Sequence, residues 1–305
     1  MLYKYICIQL FENLIYKERN MDKKSQDLKE RVQHLKKKAK KVRINIIDMI
    51  YAAHSGHPGG ALSAADIMTA LYFDILKIDP KNPRWPDRDR FILSKGHACP
   101  VWYSCLAMRG YFPKKELKTL RRFESILQGH PDMRKTPGVD MTTGSLGQGL
   151  SLGVGMALEG KLVKKNYHIY VILGDGEINE GQVWEAAASA NKYKLDNLIA
   201  IIDKNRLQMD GFTDKVMPMN SIDKKFEAFN WHVMNINGHD LKEILLALEK
   251  AKKIKDKPVC IVANTIKGKG VSFMENIRKW HGKAPNQQEY EIAIKEIRDS
   301  DNENK

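Results

Sequence analysis

Residues 167–207 read YHIYVILGDGEINEGQVWEAAASANKYKLDNLIAIIDKNRL, two short β-branched apolar runs at 167–173 and 198–203 on either side of a stretch rich in Ala, Glu and Lys. Such runs predict strands and the stretch between them a helix, so the segment scans as a βαβ unit. A right-handed crossover makes the two strands parallel neighbours and brings their carboxyl ends to one edge of the sheet, where open α/β sheets bind ligands. Asp175 and Asn205 are therefore expected to converge although they lie thirty positions apart in the chain. An Asp175 carboxylate, an Asn205 amide oxygen and a backbone carbonyl near Leu207 are hard donors of the kind magnesium takes, in an octahedron it usually shares with phosphates. Gly174 and Gly176 then allow backbone N–H groups to approach those phosphates. Gly-Asp-Gly alone is also an ordinary turn. Its weight here comes from the order strand, GDG, helix, strand, Asn.

A chain of 305 residues, 43% hydrophobic and 29% charged, is large enough to bury a sizeable core in one domain. The first sixteen residues, MLYKYICIQLFENLIY, are apolar in patches but interrupted by Lys4, Gln9, Glu12 and Asn13, and no small-residue cleavage site follows. Neither a membrane span nor a signal peptide is expected, and residues 1–20 read as an extension ahead of Met21. The net charge is +14, and residues 1–43 carry thirteen Lys or Arg against five Asp or Glu. In KERVQHLKKKAKKVRINIIDMI the helical spacing of Leu35, Val42, Ile46 and Ile50 makes the lysines a solvated face. Without aromatic interleaving or a DNA-reading motif, nucleic acid is not an expected partner, whereas a basic surface suits anionic substrates. Cys7, Cys99, Cys105 and Cys260 form no CxxC pair and no metal-ligand spacing, as in a cytoplasmic protein with reduced thiols.

The pattern predicts helices at about 28–53, 63–76, 222–230, 241–253 and 287–297. Glycine-rich turns fall at 54–60, a strand at FILS after the loop NPRWPDRDR, and further strands at 231–236 and 258–264. The fold class that follows is α/β, a parallel sheet flanked by helices on both faces. Three parts are expected: a basic N-terminal extension and helix start at 1–40, a ligand-binding domain at 41–297, and a polar, frayed tail at 298–305.

Histidines or glycine-rich helix starts recur in SGHPGG (55–60), DRDRFILSKGHA (87–98), QGHPD (128–132), TTGSLGQGLSLGVGMALEGK (142–161) and WHGKAP (280–285). One exposed loop His is ordinarily a solvated turn residue. In this order, together with GDG and Asn205, the segments resemble the N-terminal portion of transketolases over about 41–290. The resemblance implies a thiamine diphosphate-binding fold, specifically its diphosphate-binding domain, with thiamine diphosphate and Mg2+ (or Ca2+ or Mn2+) as cofactors. It implies metal ligation by Asp175, Asn205 and Leu207. Cofactor contacts are implied for His97, Gly144, Ser145, Leu146, Gly174, Asp175, Gly176, Asn205, Ile266 and His281. His57, His97, His130 and His281 would contact substrate oxygens and carry protons, a task for which imidazole is suited near neutral pH. Glu180 matches an acid at the dimer contact that links two active sites; an ordinary first-turn Glu at a helix start is the other reading. The glycines Gly147, Gly149, Gly153 and Gly155 fit either a subunit contact or tight packing of a helix in its own core.

Departures from the family pattern are Ser145, where many members have Pro, and the length of the span 266–281. The pyrimidine-binding domain of full-length transketolases, with its activating glutamate and its substrate-phosphate grip, has no counterpart in the sequence. The resemblance thus implies the N-terminal subunit of a split transketolase. It would move a two-carbon unit from a ketose phosphate to an aldose phosphate with a C-terminal, pyrimidine-binding partner subunit, as a heterotetramer. The diphosphate-binding subunit of another thiamine diphosphate enzyme, of 2-oxoacid dehydrogenase alpha type or a sugar-acting relative, and a non-catalytic cofactor-binding subunit are the alternatives.

Overall fold

The computed structural model describes residues 2–300, with side chains at 25–300. The side chain of Cys7 and most of the polar tail lie outside these residues. Five strands, β1 (Arg90–Leu93), β2 (Ile169–Gly174), β3 (Leu198–Lys204), β4 (His232–Asn237) and β5 (Val259–Asn264), form one parallel sheet in the order β1-β2-β3-β5-β4. The expected βαβ unit is present: β2 and β3 are parallel neighbours, with Gly174 opposite Asp203.

Successive strand residues enter opposite cores. Tyr170, Ile172, Ile199, Ile201, Val259 and Ile261 face one cluster, while Val171, Leu173, Leu198, Ala200, Ile202 and Val262 face the other. Burial on both faces is why these strands read as continuous apolar runs rather than alternating ones. The first cluster is closed by α1 (Leu2–Ala53), α2 (Pro58–Ser63), α3 (Ala65–Ala70) and α4 (Cys99–Arg109). The second lies beneath α5 (Gln148–Leu162) and α6 (Gly181–Lys192). The short α7 (Thr213–Val216) leads to α8 (Ile222–Ala228), whose Ile222 and Phe226 also enter the second core. Two final helices, α9 (Leu241–Ala251) and α10 (Gln287–Asp299), return to the first. Helices therefore cover both faces, as the pattern predicts.

On α1, Leu35, Val42, Ile46 and Ile50 are all fully buried, as their spacing predicts. Not all of its cations face solvent: the Arg31 guanidinium donates to Asp74 at 2.6 Å and to Glu249 at 2.7 Å, fastening the helix to its neighbours. The helix runs from Leu2 rather than from about 28. The helix expected at 63–76 starts at Pro58, whose fixed φ suits a first turn, breaks at Ala64, and ends in a π turn at Leu71–Ile75. Sequence patterning does not reveal α4, because 99–107 are all buried and no polar face marks the period. Cys99, Cys105 and Cys260 are unpaired and buried, and burial raises the Cys99 thiol to about 12. Among the described residues no helix is long and apolar enough to cross a membrane.

Candidate active site

The carboxyl ends of β1, β2, β3 and β5 meet at a cavity of about 430 Å³. Asp175 follows β2 and Asn205 follows β3, and both line that cavity with Leu207, Gly174 and Gly176. The Asp175 carboxylate is buried and accepts the Arg206 N–H at 2.7 Å and the Gly176 N–H at 3.1 Å. Burial, and next the neighbouring Asp203 charge, raise its pKa to about 6. A divalent cation would offset both penalties. Among the described residues no group of three or more His, Cys, Asp or Glu could hold a metal. The donor set on this edge is instead one carboxylate, one amide oxygen and one peptide carbonyl, which fits a hard cation that completes its shell with phosphate oxygens and water.

Four histidines reach the same cavity from four separate loops. His57 caps α2, His97 sits in a 3-10 turn before α4, and His281 ends another such turn. Their rings form a triangle with centroid separations of 5.1 Å (His57 to His97), 5.5 Å (His57 to His281) and 5.3 Å (His97 to His281). Burial, then the charges of Arg121, His130 and Lys267, hold His57 down to about 4. Burial and then Lys267 do the same to His281, and burial with Lys95 keeps His97 well below the usual imidazole range. The Arg121 guanidinium faces His57 Nδ1 at 3.3 Å, and the Lys267 ammonium faces His281 Nδ1 at 2.8 Å. Cationic side chains can only donate, so each neutral ring accepts at Nδ1 and carries its proton on Nε2. His130 is more exposed and packs beside Gly144, where an added Cβ would come within 3.4 Å of its ring.

Gly144 and Leu146 line the cavity; Ser145, Ile266 and Glu180 are not brought to its wall. Ser145 is exposed, and the Ile266 N–H turns away to His239 Nε2 at 2.8 Å. Glu180 caps α6 and is exposed, packed against Gly147, where an added Cβ would lie 2.6 Å from its own Cβ. Two glycines of α5 fit tight packing of the helix in its own core. A Cβ at Gly149 or Gly153 would collide with Ser94 or Val171, whereas one at Gly155 would meet no described atom within 4 Å.

Sequence reasoning passed over several groups that shape this site. Lys95 is buried in an ion pair with the fully buried Asp203 and donates to the Gly60 carbonyl at 2.8 Å. Asp203 also accepts the hydroxyls of Ser63, at 2.5 Å, and Thr265. Glu177 accepts the N–H groups of Gly174 and Gly147, each at 2.9 Å, and the Ser94 hydroxyl, which ties the GDG turn to the start of α5. Lys267 lines the cavity, donates to the Leu207 carbonyl at 2.5 Å, and is lowered to about 8 by burial and then by Lys95. Arg121 also donates to the Ser55 hydroxyl at 2.8 Å. The available signal was adjacency: Lys95 lies in SKGHA, Glu177 follows GDG, and Lys267 lies in TIKGKG.

A parallel sheet with oxygen donors and buried lysines at its carboxyl edge defines an α/β protein whose cavity suits an anionic ligand. Residues 34–300 match the family model "Transketolase, thiamine diphosphate binding domain", and the chain belongs to that family. It is 44% identical over 266 residues to one of the subunits of apulose-4-phosphate transketolase from Phocaeicola vulgatus, covering 87% of this chain and 94% of that protein. It is 49% identical over 242 residues to 6-deoxy-6-sulfo-D-fructose transketolase subunit SqwG of a Clostridium species, covering 79% and 88%. Human transketolase is 44% identical over 269 residues, but only 42% of its length is matched. The transketolase structure from Campylobacter jejuni superimposes with a TM-score of 0.83 at 37% identity, over 87% of this chain and 43% of that one. Against full-length transketolases, then, the chain spans less than half. The family decides against the 2-oxoacid dehydrogenase alternative.

Proposed function

We propose that this chain is the diphosphate-binding subunit of a two-part transketolase, moving a two-carbon glycolaldehyde unit from a ketose phosphate to an aldose phosphate. The observation that carries the reading is the shared cavity: Asp175, Asn205, Leu207 and Lys267 line it together with the triangle formed by His57, His97 and His281. Asp175, Asn205 and the Leu207 carbonyl would hold Mg2+ against the diphosphate, with Gly174 and Gly176 offering close backbone approach. Gly144 and Leu146 would border the cofactor's ring system. Bound thiamine diphosphate supplies a carbon nucleophile and an electron sink for cleaving and forming the bond next to a carbonyl. This chain's own work is to orient the sugar and handle protons on its oxygens. His57 and His281, neutral and protonated at Nε2, are donors for those oxygens, and His130 at the mouth would meet the far hydroxyls. Glu180, exposed at the start of α6, would lie at the subunit contact.

Residues 41–297 would be the cofactor domain, and residues 1–40 an extension that begins the first helix. The remaining half of the site would come from a pyrimidine-binding partner subunit in a cytoplasmic heterotetramer; that a partner exists is supported by relatives of similar length that are named as subunits. The test is to purify the chain alone, free of host transketolase by mass spectrometry, and assay ketose-to-aldose transfer with saturating thiamine diphosphate and magnesium. Activity is expected to appear on adding a pyrimidine-domain partner. Robust turnover by the chain alone would overturn the two-part reading, and no turnover with any such partner would overturn the activity.

A further inference from the structure

Outside the cavity wall, three charged or titratable side chains from three elements converge on the segment that carries Lys267. Asp66, on α3, is buried; its Oδ1 accepts Arg43 Nη1 at 2.9 Å, and its Oδ2 accepts Arg43 Nη2 at 2.6 Å and His239 Nδ1 at 2.8 Å. His239, between β4 and α9, presents its other nitrogen to the Ile266 N–H at 2.8 Å. A peptide N–H can only donate, so Nε2 accepts and Nδ1 carries the proton given to Asp66. Arg43, on α1, donates through Nε to the Lys269 carbonyl at 3.2 Å. Two side chains that meet at one carboxylate thus hold the backbone of residues 266 and 269, on either side of Lys267. The same segment is tied to the His57 loop through Gly268 N–H and the Gly59 carbonyl at 3.0 Å, and Lys267 packs so closely on Gly59 that a Cβ there would approach its Cγ to 3.0 Å.

We propose that Arg43, Asp66 and His239 form a buried positioning relay that fixes segment 265–270 and so aims Lys267 into the cavity. None of the three lines the cavity, so they act through Lys267 rather than on a ligand. A buried lysine costs free energy to desolvate and has long, flexible bonds to freeze, so its ammonium is held at one place only if its backbone is. A backbone donor held by His239, itself held by a charge-paired Asp66, gives that rigidity, because the Asp66–Arg43 pair makes the imidazole tautomer single-valued. The consequence for a ligand rests on reading the cavity as the diphosphate site.

Two half-mimics of the imidazole separate the relay from general packing. In His239→Gln the amide oxygen takes the place of Nε2 and keeps the Ile266 bond. In His239→Asn the amide nitrogen takes the place of Nδ1 and keeps the Asp66 bond but loses Ile266. Hydrogen exchange resolved to the Ile266 amide and calorimetric affinity for thiamine diphosphate with magnesium are measured on the full chain. The relay predicts that His239→Gln keeps the slow exchange and binds within about threefold of wild type. His239→Asn is expected to exchange fast at Ile266 and to bind about tenfold more weakly, a loss of ~1.4 kcal/mol. Equal losses in both variants, retention in both, or a split in exchange with no split in affinity would each overturn the relay. If wild type itself binds no thiamine diphosphate, the diphosphate reading fails by itself, and the exchange arm still decides whether His239 fixes the segment.

Discussion

Replacing Lys95 by Met should destabilise the metal-free chain by about 3 kcal/mol, because Asp203 is then left charged and buried without its counter-ion. Asp203 is fully buried, and Lys95 is 2% exposed, so water cannot take over the lost partner. Breaking one side of such a pair typically costs about 3–5 kcal/mol. The hydroxyls of Ser63 and Thr265 still solvate the carboxylate, which places the loss at the lower end of that range. At about 2 °C per kcal/mol for a chain of this size, the melting midpoint should fall on the order of 6 °C. The pH dependence has a definite sign. Burial pushes the Asp203 carboxyl up, but Lys95 and the hydroxyl donors outweigh it and hold the pKa below its ordinary value. In wild type the pair's contribution is present above the unfolded carboxyl pKa and fades as pH falls below it. Without Lys95 the burial penalty is opposed only by the Ser63 and Thr265 hydroxyls, so the variant's Asp203 takes up a proton more readily than the wild type's. The gap between variant and wild type should therefore be widest near neutral pH and narrow as pH falls toward about 4. Urea unfolding in chelator at several pH values measures it, and adding Asp203→Asn to the Lys95→Met background should recover most of the loss. A gap below ~1 kcal/mol at pH 7, or one that does not change with pH, would refute the reasoning.

Asp175→Ala should abolish calorimetric binding of thiamine diphosphate with magnesium to the assembled enzyme, since the carboxylate is the charged member of the oxygen set; wild-type affinity in the variant would remove the metal assignment. His57→Ala and His281→Ala should lower kcat by about 100- to 10,000-fold with much smaller effects on cofactor affinity, measured by steady-state transfer between ketose and aldose phosphates. Near-normal rates in both would show that the imidazoles do not handle the reacting oxygens. Because the folded chain keeps His57 and His281 neutral down to about 4 while the unfolded chain protonates them near 6.5, unfolding takes up protons across that window. Stability of the metal-free chain should fall from pH 6.5 toward 4, and the His57→Ala/His281→Ala double variant should show a shallower slope in urea midpoints; an unchanged slope contradicts the buried-neutral assignment.

The parts of the molecule legible in the sequence are those whose physics is local. Residues 169–174 and 198–204 are strands because β-branched apolar side chains run without interruption, and a sheet buried on both faces needs such runs. Asp175 and Asn205 then follow from topology, because parallel neighbours end on one edge. The histidines were legible as loop residues, but their convergence came from the resemblance, since no spacing rule brings 57, 97 and 281 together. Lys95 and Lys267 were hidden for a physical reason: in a chain with 51 basic residues, two buried lysines look like all the exposed ones. What distinguishes them is a carboxylate or a carbonyl supplied by a distant strand end, which composition does not encode. The missed α4 shows the same limit from the apolar side, because a helix enclosed by core has no amphipathic period to read.

The division of labour in the site follows from where rigidity is available. Asp175 and Asn205 follow directly on β2 and β3, parallel neighbours held by ladder bonds, and the small octahedral cation proposed for them would tolerate little error in where its ligands sit. The proton handling proposed for this site would instead need donors on several sides of a substrate, which one strand edge cannot surround; His57, His97, His130 and His281 come from four loops. Loops are softer, and the chain stiffens these with cations: Arg121 at His57, Lys267 at His281, Lys95 on the Gly60 carbonyl. Burial first, and then the Arg121 and Lys267 charges, keep these imidazoles neutral, so the contact that holds each ring also adds to what sets its protonation state. Lys267 is the point where both halves meet, bonded at once to the Leu207 carbonyl of the oxygen set and to His281. On the proposed roles, a change that moved Lys267 would therefore disturb ligand anchoring and proton transfer together, whereas a change at Arg121 or His130 would reach the side proposed to face the sugar and leave Asp175 and Asn205 in place.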